Sequence, residues 1–122
     1  MMANEQFSPA IREYIDVETG LGRVRGNKAL YGRMLQLFLS SAEFDALEAN
    51  LAEGDLAKAG EVAHAIKGMT GNLGLEKLFT LSSGLVTQLR EGAADEAALG
   101  EYRAVLQKTF DCANVLIEEL KR

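Results

Sequence analysis

The sequence predicts an all-α protein, an up-and-down antiparallel four-helix bundle with a short additional N-terminal helix, and three observations carry that expectation. Proline occurs once, at Pro9, so no later segment is denied a helix by a missing amide. The remainder is rich in Ala, Leu, Glu, Gln, Lys and Arg, the better helix formers, and no alternating strand pattern occurs. Glycine-containing punctuation at Gly26-Asn27, Glu53-Gly54-Asp55, Asn72-Leu73-Gly74 and Gly92-Ala93-Ala94-Asp95 divides the chain, in three cases supplying an N-capping side chain next to a helix-ending glycine.

The elements follow in order. Residues 1–14 read as an N-terminal tail or linker, frayed before about Phe7, and residues 15–122 as the bundle. A short helix is expected from Val17 to Val24. The first long helix then runs from about Lys28 to Glu53, with Leu30, Met34, Leu37, Phe38, Phe44, Leu47 and Leu51 as its apolar stripe. The second spans Asp55 to about Leu73, the third Leu75 to Glu91, and the fourth Asp95 nearly to the end. Connections this short make neighbours antiparallel, and four amphipathic helices bury their stripes as a bundle crossing at about 20°.

At 122 residues the chain has room for one domain, and 48% hydrophobic with 25% charged residues fits a folded globule rather than a disordered tract. A net charge of −5 argues against nucleic acid, whose phosphates are held by clustered Lys and Arg, and favours protein partners. No apolar run approaches the roughly 20 residues that span a bilayer, so no direct membrane insertion is expected. One cysteine, Cys112, cannot close an intramolecular disulfide, and the N-terminal residues lack a secretory pattern, so a cytoplasmic location is expected. Cys112 lies beside the stripe of the fourth helix, which makes it structural rather than nucleophilic. Metal binding is disfavoured because zinc sites recruit several His and Cys, and the chain offers one of each.

Chemistry concentrates on the second long helix. At about 100° per residue, Leu56, Ala59, Val62, Ala63, Ile66, Met69, Thr70 and Leu73 share one sector, and His64 lies roughly 150° from its centre. The only histidine therefore points away from the core of its own helix. Ala57, Gly60, Lys67, Gly68 and Gly71 surround it on the open face, with Glu61 at the edge, so the imidazole stands among residues with little side chain. Each glycine inside a helix costs about 1 kcal/mol relative to alanine, and a closely approaching protein surface would use the room. Lys67, at i+3, sits where its ammonium would meet an anion carried by the ring, and neutral imidazole is a competent nucleophile near pH 7. Without such context a lone histidine reads as an ordinary surface residue.

The run His64-x-x-Lys67-Gly68, followed by small residues and Asn72-Leu73-Gly74, resembles the histidine-containing phosphotransfer (HPt) domain of bacterial multistep phosphorelays. Asp16-Val17-Glu18-Thr19-Gly20-Leu21 followed by Gly26-Asn27, the helix with Leu35-Gln36-Leu37-Phe38-Leu39, and the turn Gly54-Asp55 resemble that family in order and spacing, from about Ile15 to Leu120. The resemblance implies that His64 is the phosphoacceptor, that Lys67 neutralises phosphate, that Gly68 clears room for a receiver domain, and that Gly74 closes the helix. It implies a phosphocarrier without ATP-binding or kinase motifs, no intrinsic cofactor, Mg2+ held by the partner, and response-regulator receiver domains or a hybrid sensor kinase as partners of a monomer. Ala57, Gly60, Glu61, Gly68, Gly71 and Arg90 are the candidate docking residues. Two positions depart from the family: Met69 replaces a common serine, and Val86 stands where many members carry a Gln or Glu that fixes the imidazole. The alternative is a noncatalytic HPt-like adaptor or dimerisation module; a hydrolase using His64 as general base lacks a nucleophile and an orienting acid.

Overall fold

Seven α-helices, and no strand, make up the described part of the computed structural model, residues 6–122. They are α1 (Pro9–Tyr14), α2 (Val17–Gly22), α3 (Lys28–Leu39), α4 (Glu43–Ala52), α5 (Leu56–Leu73), α6 (Glu76–Arg90) and α7 (Glu96–Leu120). The polar residues at the punctuation do cap: Asn27 accepts from the Leu30 amide at 3.0 Å, Asp55 from that of Lys58 at 3.0 Å, and Asp95 from that of Ala97 at 3.0 Å. The result is an all-helical bundle in which α5 packs between α4 and α6, α7 packs against α6 and α3, and α1 rests mainly on α7.

The first long helix is not continuous: it ends at Leu39 and restarts at Glu43. Two serines make the break. Ser41 Oγ accepts the Glu43 amide at 3.2 Å, taking a donor that a continuing helix would pair with a carbonyl of α3, while Ser40 Oγ adds a second bond, at 3.1 Å, to the Gln36 carbonyl that already accepts the Ser40 amide. The break shifts the buried phase. Tyr31, Leu35 and Phe38 are buried on α3, while Leu37, expected in the stripe, is 68% exposed and Leu30 is 38% exposed. The edge-on rings of Phe38, Phe44 and Phe110, with centroids 5.1–5.5 Å apart, hold α3, α4 and α7 together across the bend.

Residues 7–14 are not a free tail. Ser8 caps α1, Pro9 begins it, and Phe7, Ile11 and Ile15 are buried in the core. Lys77 on α6 pairs with Glu13 at 2.7 Å, and the Cys112 thiol donates to the Ala10 carbonyl at 3.4 Å. Cys112 is thus buried structural packing, and burial pushes its thiol up, away from the thiolate. A six-residue helix offers too short a window for periodicity to reveal. The fraying expected before Phe7 concerns mostly residues 1–5, which lie outside the described residues.

α2 fixes the far end of α5. Gly74 takes φ +77°, ending α5 in the left-handed region, and its carbonyl accepts the Asp16 amide at 2.7 Å. Buried Tyr31 donates its hydroxyl to the Leu73 carbonyl at 2.7 Å, satisfying a helix-end acceptor. Its ring lies so close to Gly20 that no Cβ would fit there. The helix that carries His64 is therefore anchored at its C-terminal end by α2 and α3.

Candidate functional site

On α5, Ala59, Ala63, Ile66, Thr70 and Leu73 are buried, which turns His64 outward, and it is exposed. The Thr70 hydroxyl donates into its own helix, to the Ile66 carbonyl at 2.9 Å and the Lys67 carbonyl at 3.0 Å, so it adds no donor at the surface. His64 lines a groove of about 420 Å³ with Lys67, Gly68, Gly71 and Asn72 of the same helix. Phe79 and Glu76 of α6 form another wall, and Thr19 and Arg23, at the end of α2, close the groove.

The two glycines of this face differ in what surrounds them. A Cβ on Gly71 would lie 3.1 Å from the Phe79 ring, so packing within the molecule accounts for that glycine. A Cβ on Gly68 would meet nothing within 4 Å. No contact inside the described fold calls for glycine at Gly68, and its helix would be stronger with alanine.

The expected docking residues do not all meet. Ala57, Gly60, Glu61 and Arg90 line a separate groove of about 370 Å³, with Leu56, Leu89 and Gly92, a turn or more before His64. Gly60 is buried rather than open: a Cβ there would sit 3.5 Å from Leu89 Cβ and 3.9 Å from Arg90 Cγ, because the end of α6 closes over it. Arg90 accordingly adds its charge beside Gly60 and not in the His64 groove.

These contacts also fix the level of Val86. With Gly71 beside Phe79 and Gly60 beside Leu89 and Arg90, α5 and α6 run antiparallel, and the level of His64 falls near Val86. Val86 is 3% exposed and belongs to the core, so α6 offers a methyl surface there. Its nearby hydroxyls are engaged within α6, Ser83 to the Phe79 carbonyl at 2.8 Å and Thr87 to the Ser83 carbonyl at 3.3 Å. No hydrogen bond to the His64 ring comes from any described residue.

Charge in the groove is mixed. Lys67 and Arg23 face it as cations, with Glu76 between α6 and α2. Partial burial, and then the neighbouring Asp16 carboxylate, hold Glu76 above the ordinary carboxylate range. Among the described residues no three His, Cys, Asp or Glu side chains cluster as a metal site requires. Sequence reasoning missed Thr19, Arg23, Asn72, Glu76 and Phe79 as groove residues. Only Phe79 had a local signal, since the tight turn at Gly74-Leu75 must fold the next helix back on Gly71.

His64 is thus an exposed histidine on the open face of a helix in an all-helical bundle, with Lys67 one turn on. The Hpt domain family model matches residues 33–120, most of the chain, and the protein belongs to that family. No curated protein and no solved structure gives a significant match. The match begins at Arg33, so α1 and α2 lie before it, although α2 contributes Thr19 and Arg23 to the groove. Membership assigns the chain to histidine phosphotransfer in two-component signalling, and HPt domains are phosphocarriers, not kinases. No helix among the described residues is long and apolar enough to cross a membrane.

Proposed function

We propose that His64 accepts a phosphoryl group from the aspartyl phosphate of one receiver domain and passes it to the aspartate of another. The observation that carries this reading is the exposed His64 ring in one groove with Lys67 and with Gly68, beside which the fold leaves space unfilled. A ring nitrogen attacks phosphorus as the bond to the aspartate oxygen breaks; the carboxylate leaves with the electron pair and the second ring nitrogen keeps its proton. Lys67 offsets the negative charge gathered on the phosphoryl oxygens. The partner supplies Mg2+ and its carboxylate ligands, and the chain itself needs no cofactor. We read α3 with α4, α5, α6 and α7 as the four members of an up-and-down bundle, working as a monomer in the cytoplasm.

The test is incubation of wild type and His64→Gln with phosphorylated receiver domains. Wild type should take up label approaching one equivalent and the variant none, with unchanged helical content; stoichiometric labelling of the variant would remove the assignment.

A second reading, a noncatalytic adaptor, is favoured by one observation: buried Val86 gives the ring no polar partner. It expects partner binding without an acid-labile adduct.

A further inference from the structure

The cations of this acidic chain are unevenly placed. Between Glu18 and Glu43 the sequence carries Arg23, Arg25, Lys28 and Arg33 and no carboxylate at all, in a protein whose net charge is −5. In the structure this stretch is the end of α2, the turn that follows, and α3. None of the four cations is ion-paired with a described residue, nor are the scattered Arg12, Lys67, Arg90 and Lys108, whereas Lys58, Lys77, Arg103, Lys121 and Arg122 each have a carboxylate partner within 4 Å; what sets the four apart is that they follow one another with no carboxylate between them. Arg23 lines the His64 groove. Lys28 and Arg33 line a second groove, between α3 and α7, with Lys121. Arg25 lies in the turn between the two and is the one non-glycine among the described residues with positive φ, 55°, followed by Gly26 at 77°. Glycine or asparagine would occupy that conformation with less strain than arginine, so local backbone preference does not account for the side chain found there.

We propose that the turn carrying Arg23, Arg25 and Lys28 is an electropositive docking rim for the acidic face of the receiver domain that exchanges phosphoryl with His64. The proposal rests on the phosphotransfer reading above and deepens it by naming the partner surface. Charge complementarity sets the occupant: a partner that holds Mg2+ beside a reacting aspartate must gather carboxylates around that point, because Mg2+ is bound through carboxylate and phosphate oxygens. Lys67 stands one turn from His64, placed for the phosphoryl group. Arg23 enters the same groove from the end of α2, the element that docks on the C-terminal end of α5, and its role in the proposal is to meet the partner's surface rather than the transferred group. Unpaired cations at the rim of an interface act mainly on encounter and register, and their effect is screened by salt.

The test compares two double variants of equal net charge, Arg23→Gln/Arg25→Gln and Lys108→Gln/Arg122→Gln, with wild type. Transfer from a phosphorylated receiver is followed at increasing concentrations of the chain, at low and at high ionic strength. The rim variant should need about tenfold more protein to reach half-maximal rate at low salt, with a plateau rate within about twofold of wild type and a flattened salt dependence. The Lys108/Arg122 variant should match wild type within about twofold. Equal concentration dependence in the two variants overturns the rim, as does a rim variant whose salt dependence stays that of wild type. A rim variant whose plateau alone falls also overturns it, placing Arg23 in the chemical step. Phosphoramidate, a small phosphodonor that needs no docking surface, separates the two levels of the argument. Labelling of wild type by phosphoramidate with equal receiver transfer in all three proteins sinks the rim alone; failure of both donors to label wild type sinks the phosphotransfer reading and the rim with it.

Discussion

Two stretches of α5 are held to different standards. From Gly71 to Gly74 the molecule supplies its own contacts: Phe79 fills the space beside Gly71, Tyr31 binds the Leu73 carbonyl, and Asp16 closes on a left-handed Gly74. Around His64 and Gly68 the same helix is left open, with no hydrogen-bond partner for the ring and nothing beside the glycine among the described residues. The anchored end makes the helix a rigid mount. The open part gives up helix stability of about 1 kcal/mol at Gly68. Glycines alike in sequence thus serve two purposes, one inside the fold and one outside it.

Substitutions should separate these purposes, and Gly74→Ala should have the largest effect. It combines a left-handed backbone with a collision against the Asp16 carbonyl, and should destabilise by roughly 2–5 kcal/mol, read as a lowered denaturation midpoint with an unchanged m-value. Tyr31→Phe should cost about 1–2 kcal/mol, because it strands the Leu73 carbonyl in the core; a loss below a few tenths would show that water replaces the hydroxyl.

Gly68→Ala and Gly71→Ala sharpen the contrast further. The first should stabilise by up to about 1 kcal/mol in thermal unfolding and at the same time slow transfer from a receiver. The second should leave stability within about 0.5 kcal/mol, since the helix gain is offset by moving the Phe79 ring, which at 37% exposure has room to give. A Gly68→Ala protein that is more stable and transfers as fast as wild type would show that the open space serves no partner.

The smallest effect is electrostatic. Glu76 has a raised folded-state pKa, so the folded state binds its proton more tightly than the unfolded chain does. Its charge therefore opposes folding above the raised value, and that penalty is relieved as pH falls through it towards the ordinary carboxylate range. Glu76→Gln should raise the midpoint of unfolding only slightly at pH 7, because solvent screens this exposed carboxylate, and the gain should shrink as pH falls into the carboxylate range; a gain that grows on acidification contradicts the sign.

Local features were legible in the sequence and long-range ones were not. Asn27, Asp55 and Asp95 announced helix starts, Gly74 announced an end, and the angular position of His64 followed from residues within two turns of it. The break at Ser40-Ser41-Ala42 was hidden because serine disrupts a helix only when its hydroxyl captures backbone groups, which residue type alone does not dictate. Gly60 was assigned to the open face because a helical wheel knows nothing of the neighbouring helix, whose end covers it; Arg90, a candidate docking residue on that end of α6, stands beside Gly60 rather than in the His64 groove. The α2 side of the groove, Thr19 and Arg23, is separated from His64 by some forty residues and two intervening helices, α3 and α4, and no spacing rule reaches across them.

Phosphotransfer as proposed requires the phosphoryl group to sit on a ring nitrogen of His64. Wild-type protein should be incubated with a phosphorylated receiver, digested under alkaline conditions that preserve phosphohistidine, and the modified peptide sequenced by mass spectrometry. The predicted result is a single acid-labile phosphoryl group on His64; a phosphoryl group on a serine, threonine or carboxylate of this chain, or none on the histidine while the receiver still binds, would contradict it.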